Sequence, residues 1–129
     1  MIYNTIKFNA APFSYSLEFA DRITLVRGDS ATGKTYLYQM LEDLRLLEEY
    51  KAIKLFNYKT EGFHDNLKKC RDKFIVIDNE DRRFINFDCS NQYMLFARNC
   101  DGLNLSQGSF MLLYENDYKV SLKRELVAV

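Results

Sequence analysis

The chain has 129 residues, enough for one domain and too few for two that each bury a core. Hydrophobic residues make up 47% and aromatic residues 15%, which excludes a disordered chain and can fill a single core. Lys+Arg and Asp+Glu stand at 18 each, so no net field draws nucleic acid or an acidic membrane surface.

No apolar run approaches the roughly 20 residues of a membrane span, and the N-terminal stretch Met1 to Lys7 lacks the continuous apolar segment of a secretory signal. Cys70, Cys89 and Cys100 are an odd count without a CxxC pair. That suggests neither a disulfide framework nor a zinc ribbon, and a reducing, cytoplasmic setting is expected.

In chain order, Ile2 to Phe8 and the alternating stretch Phe13, Tyr15, Leu17, Phe19 predict an N-terminal β-hairpin turning at Ala10-Ala11-Pro12. Ile23-Thr24-Leu25-Val26 reads as a strand buried on both faces, ending at Gly28. After Gly33 the period changes to helical, with Leu37, Met40, Leu41, Leu44 and Leu47 on one face. Ile53 to Tyr58 predicts a strand, and His64 to Arg71 a short helix of weaker pattern. Phe74-Ile75-Val76-Ile77 is a buried strand stopping at Asp78, and Tyr93 to Ala97 is another. Phe110 to Tyr114 and Tyr118 to Leu122 predict a C-terminal hairpin around Glu115-Asn116-Asp117. Strands alternating with helices in the middle of the chain imply parallel pairing, with a ligand expected at the carboxyl edge.

Gly28-Asp29-Ser30-Ala31-Thr32-Gly33-Lys34-Thr35 fits G-x-x-x-x-G-K-[ST] at every fixed position. It follows a predicted strand and opens a predicted helix, the context in which backbone N–H groups of such a loop wrap a polyphosphate. Gly28 permits the sharp exit from the strand, and Gly33 allows close backbone approach. Lys34 is placed to reach the β- and γ-phosphates, Thr35 to ligate Mg²⁺, and Tyr36 to follow in the first helical turn. The helix N-terminus adds its positive dipole end. Downstream, Phe74 to Asp78 ends a buried strand in a carboxylate that can hold the hydrated Mg²⁺.

These two blocks resemble the Walker A and Walker B motifs of P-loop NTPases. With a strand at 53–58 between them and another at 93–97 after the second, the arrangement is similar to the additional-strand division that includes AAA, ABC and RecA-type ATPases. The leading hairpin looks most like ABC and RecF-type members. The resemblance covers roughly residues 20–100 and implies a three-layer α/β fold, a mainly parallel sheet flanked by helices with a β-hairpin at each end. It also implies ATP or GTP with Mg²⁺ as cofactors.

The chain departs from that pattern where members of the division usually carry a glutamate after the acidic strand, since Asn79 stands there. An amide can orient water but cannot take its proton. Glu80 is the nearest carboxylate after Asp78, on the opposite side of a continuing strand from Asn79. Lys34, Asp78 and Glu80 are therefore the candidate catalytic residues, with slow hydrolysis expected of the isolated chain.

Several other residues carry a functional reading beside a plainer one. Arg98-Asn99 could sense a γ-phosphate, and Arg82 and Arg83 could serve a neighbouring subunit as arginine fingers or line a solvated face. Tyr15 or Phe13 could stack on a base or pack in the core. Leu105 to Gly108 reads as a loop, His64 as a surface residue, and Lys68, Lys69, Arg71 and Lys73 as a solvated basic face or a phosphate-backbone contact.

The sequence thus leads to a nucleotide-dependent regulator or interaction module with weak or partner-dependent hydrolysis. An ATPase that works as an oligomer is the second reading, and a small-molecule or nucleoside kinase the third. A protein partner or self-association is expected, nucleic acid has no direct support, and no membrane is involved.

Overall fold

The computed structural model describes residues 1–27, 33–57, 62–78, 87–97 and 109–124. Ten elements follow one another: β1 (Thr5–Ala10), β2 (Phe13–Glu18), β3 (Ile23–Arg27), α1 (Lys34–Leu44), β4 (Ile53–Asn57), α2 (Phe63–Lys69), β5 (Phe74–Asp78), β6 (Gln92–Ala97), β7 (Ser109–Asn116) and β8 (Lys119–Arg124). A 3-10 turn at Glu48–Tyr50 joins α1 to β4.

The eight strands form a single sheet in the order β1-β2-β8-β7-β3-β6-β5-β4. β7, β3, β6, β5 and β4 run parallel to one another, each pairing in register. β1–β2 and β7–β8 are antiparallel hairpins, joined to each other by a parallel β2–β8 pairing through Ser14, Tyr15 and Ser16. The second hairpin is longer than its sequence suggested. Both strands extend to a two-residue turn in which Asp117 and Tyr118 have φ of 51° and 61°, the positive angles a type I′ turn demands.

The expected three-layer, mainly parallel architecture is corrected by this structure. The sheet is mixed and curled, the hairpins supply half of its strands, and each face carries one helix among the described residues rather than a helical layer. The reason lies in side-chain patterning. In β5, Phe74 and Val76 point into one core cluster while Ile75 and Ile77 point into the other, so this strand is apolar on both faces. The hairpins alternate instead: Ile6, Tyr15, Leu17 and Val120 are buried, whereas Lys7, Ser14, Glu18, Lys119 and Lys123 are exposed. A charged face gives a helix nothing to pack on, so half of the sheet stays solvated on one side.

Curling completes the core on the other side. A helix is about 10 Å across, whereas eight strands laid flat span about 34 Å, so α1 alone cannot cover its face. The ends of the first hairpin fold back instead. Phe19 and Tyr3 bring their rings to 5.2 Å and 5.7 Å from that of Phe74 on β5, although six pairings separate β1 from β5 along the sheet. Tyr3 and the buried Gln92 exchange two hydrogen bonds of 2.8 Å, Tyr3 N–H donating to Oε1 and Nε2 donating to the Tyr3 carbonyl. Leu37, Leu41 and Leu44 of α1 fill the space so enclosed, while Phe63 and Leu67 of α2 cover the opposite face against Ile75, Ile77 and Leu95. No helix among the described residues is long and apolar enough to cross a membrane.

Candidate functional site

The carboxyl end of β3 and the N-terminus of α1 stand six residues apart, so the glycine-rich segment links a central strand directly to a helix. Gly28, Asp29, Ser30, Ala31 and Thr32 lie outside the described residues. Gly33 caps α1 with φ 84° and ψ 13°, a left-handed conformation that costs other L-residues roughly 1–2 kcal/mol. Among the described residues a Cβ there would meet nothing within 4 Å, and the left-handed conformation is itself reason for glycine. Among the described residues no side chain caps this helix start, and no acidic residue occupies its first turn, where the positive end of the dipole lies. Lys34 is half-buried at the first helical position, and Thr35 and Tyr36 follow, both exposed.

Asp78 ends β5 with its side chain exposed, while the four residues before it are fully buried. It pairs in register with Phe96 of β6, which pairs in turn with Val26 of β3. The aspartate therefore stands two strands, about 10 Å, from the carboxyl end of β3. Glu80, like Asn79, Arg82 and Arg83, lies outside the described residues, as do Arg98, Asn99, Cys100 and Leu105 to Gly108.

Tyr38 connects the two motifs, and sequence reasoning missed it. Four residues past Lys34, it shares that residue's helical face, buries its ring under α1 and hydrogen-bonds the Asn57 side chain at the end of β4. Asn57 is the register partner of Asp78. Burial, reinforced by the carboxylates of Glu42 and Asp78, pushes the Tyr38 phenol up to about 12. A folded-state value above the unfolded one near 10 means the stabilisation is complete below pH 10 and is lost as pH rises through the folded value. Between pH 10 and 12, Tyr38→Phe should therefore lose stability with pH less steeply than wild type, as read by chemical unfolding at stepped pH.

A cavity of about 520 Å³ opens beside the same helix start. Its walls are Phe13 and Tyr15 of β2, Gly33 and Tyr36 at the head of α1, and Leu113, Glu115, Tyr118 and Val120 of the second hairpin. The hairpins are tied together here, because the Ser14 N–H donates to the Tyr118 carbonyl at 2.8 Å and the Phe13 and Tyr118 rings lie 5.7 Å apart. Burial, and then the neighbouring Tyr36 phenol, raise the Tyr15 phenol above its ordinary value. Tyr15 also stacks on Phe8 at 4.5 Å and belongs to the main core, so it is both a core residue and a cavity wall.

The remaining candidates serve the scaffold or stand apart. Arg71 donates to the Lys68 and Cys70 carbonyls and pairs with Asp88 at 3.5 Å, while Lys68 and Lys69 complement the last turn of α2. His64 is exposed beside the Phe63 ring. Among the described residues no three His, Cys, Asp or Glu side chains gather as a metal cluster. Mg²⁺ needs none, since it keeps several waters and binds through one or two carboxylates together with phosphate oxygens. Comparison with protein-family models, curated proteins and solved structures returned no match to this chain.

Proposed function

We propose that this protein binds a nucleoside triphosphate, ATP or GTP, with Mg²⁺ at the carboxyl edge of β3 and β5, and acts as a nucleotide-dependent regulator or interaction module. The observation that carries the reading is the succession of β3 and α1, with the complete GDSATGKT sequence running from the end of the strand into the start of the helix. In this reading Lys34 meets the β- and γ-phosphates, Thr35 and Asp78 hold the metal, and the loop amides cradle the β-phosphate. Support comes from the start of α1, which no described side chain caps, from Asp78 at the same sheet edge, and from the single strand β6 between the two motif strands, in keeping with the resemblance to additional-strand ATPases.

Asn79 after Asp78 favours regulation over rapid turnover, since its amide can place a water but cannot deprotonate it. An ATPase that completes its site on a neighbouring copy or a partner protein is the second reading, because the supply of a charge in trans accelerates such reactions strongly.

Thermal unfolding with and without Mg²⁺-ATP, Mg²⁺-GTP and their diphosphates tests the proposal. The expected result is stabilisation by a triphosphate with little phosphate release. Release that rises with protein concentration would move the reading to an oligomeric ATPase, transfer to an added acceptor would move it to a kinase, and no shift with any nucleotide would overturn it. In Asp78→Ala, the stabilisation by Mg²⁺-ATP should fall to that given by ATP with the metal chelated.

A further inference from the structure

We infer that the cavity between the two hairpins and the head of α1 is a cage for a small organic cation, an N-alkylated ammonium of the choline type, held by aromatic rings and the Glu115 carboxylate. This goes beyond the nucleotide reading and does not depend on it. Four of the eight described wall residues are aromatic, and Glu115 is the only charged one among them. The volume of about 520 Å³ lies in the ordinary range for small-ligand sites. The pleat of the second hairpin sorts its charges. Glu115 pairs in register with Val120, and both line the cavity, so their face of the hairpin looks inward. Alternation turns Tyr114, Lys119 and Lys123 to the other face, where the Lys123 ammonium sits 3.5 Å from the centre of the Tyr114 ring. Lys119 and Lys123 are thus kept out of the cavity, and Lys123 already makes the kind of contact proposed for the ligand.

The rings stand at angles to one another instead of stacking. Phe13 and Tyr118 are inclined by 59° with centres 5.7 Å apart, and Phe13 and Tyr15 by 61° at 6.5 Å. Ring faces are electron-rich, and several of them around one space attract a cation. Tyr36 is 40% and Tyr118 56% exposed, so a ligand reaches these rings from solvent. Glu115 Oε1 accepts the Tyr118 N–H at 2.8 Å, a bond across the turn that holds the carboxylate in place while its second oxygen remains to meet the ligand. The positive end of α1 at Gly33 opposes a cation with about half a charge, less than the full charge of the carboxylate. The walls also select the kind of cation. A bare ammonium is strongly hydrated and loses more water than rings replace, whereas an alkylated nitrogen spreads its charge over methyl groups that rest on ring faces.

The test is equilibrium binding, without nucleotide, of choline and of the neutral alcohol in which a quaternary carbon replaces the choline nitrogen. The two have the same shape and differ in charge. Choline should bind at least about tenfold tighter, the scale of a few cation–π contacts together. Glu115→Gln keeps an acceptor for the Tyr118 N–H and removes the charge, so it should shrink the advantage of choline while leaving the alcohol unaffected. Tyr36→Leu keeps apolar bulk and removes a ring, and should weaken choline more than the alcohol. Equal binding of the two ligands would make the cavity a merely apolar pocket and overturn the cage. Choline binding that survives both substitutions would place the ligand elsewhere, and no binding of choline at all would also overturn the inference. A trimethyllysine peptide that binds far tighter than choline would overturn the assignment to a small free ligand. The wild-type comparison of the two ligands decides the matter even if a variant fails to fold.

Discussion

Lys34→Ala is expected to abolish most of the stabilisation by Mg²⁺-ATP or Mg²⁺-GTP. At a concentration of about 100 times its dissociation constant, a ligand adds about 2.7 kcal/mol to the folded state, which for a chain of this size raises the melting temperature by on the order of 10 °C. A hydrogen bond to a charged group contributes about 1.5–3 kcal/mol, and in the proposed reading removing the ammonium group takes away its contact with two phosphates. A loss of about 3 kcal/mol weakens binding roughly 100-fold, and at the same ligand concentration only about 0.4 kcal/mol of stabilisation remains. Alanine is a good helix former, so the variant should keep its fold while losing its response. Differential scanning with and without nucleotide checks both. An undiminished shift would show that the ligand sits elsewhere.

Phe74→Ala should cost about 3–5 kcal/mol, the usual range for truncating a buried aromatic, with ring-on-ring contacts adding about 0.5–1.5 kcal/mol each to what burial alone gives. Phe74 is fully buried at the start of β5, where Tyr3 and Phe19 reach it from the far wing of the sheet. Against the 5–15 kcal/mol that a typical domain has in total, this loss should move the urea midpoint strongly while leaving the slope of the transition unchanged. A cost below about 1 kcal/mol would mean that the first hairpin does not fold back onto β5, and the curl of the sheet would have to be redrawn.

The local elements were legible wherever a single periodicity ran unopposed. FIVID reads as a doubly buried strand because Phe74 to Ile77 have no polar member, and Phe13 to Leu17 read as a half-buried strand because Ser14 and Ser16 alternate with them. Helix α1 was visible from Leu37, Leu41 and Leu44, but the same pattern continues to Leu47 and the helix does not. After Leu44 the amides of Leu46 and Leu47 turn to the Asp43 and Leu44 carbonyls, and both leucines are left exposed. Periodicity cannot report the point at which the chain leaves its cylinder.

The sheet as a whole was less legible. The β2–β8 pairing joins Tyr15 to Val120, residues far apart in sequence, and any alternating strand would match either of them equally well. The three-layer expectation failed for a related reason. It assumed helices on both faces throughout, while the exposed charges of the hairpins rule that out for half of the strands. At the candidate site, a fixed spacing singled out Lys34 and Thr35, and the end of a buried apolar strand singled out Asp78. Tyr38, Glu115 and Tyr118 were not, because only folding brings the second hairpin to the head of α1.

The Tyr50 hydroxyl gives one more consequence. It accepts from the Lys7 N–H at 3.4 Å and donates to the Lys7 carbonyl at 3.2 Å, in the middle of β1, the outermost strand of the sheet. A bare border strand is a template on which another chain can add a strand of its own. Here a phenol from the turn before β4 occupies that template at its centre, and a lysine side chain stands beside it. Copies of this protein that meet edge to edge would first have to evict Tyr50, so this border is guarded against runaway stacking into fibrils.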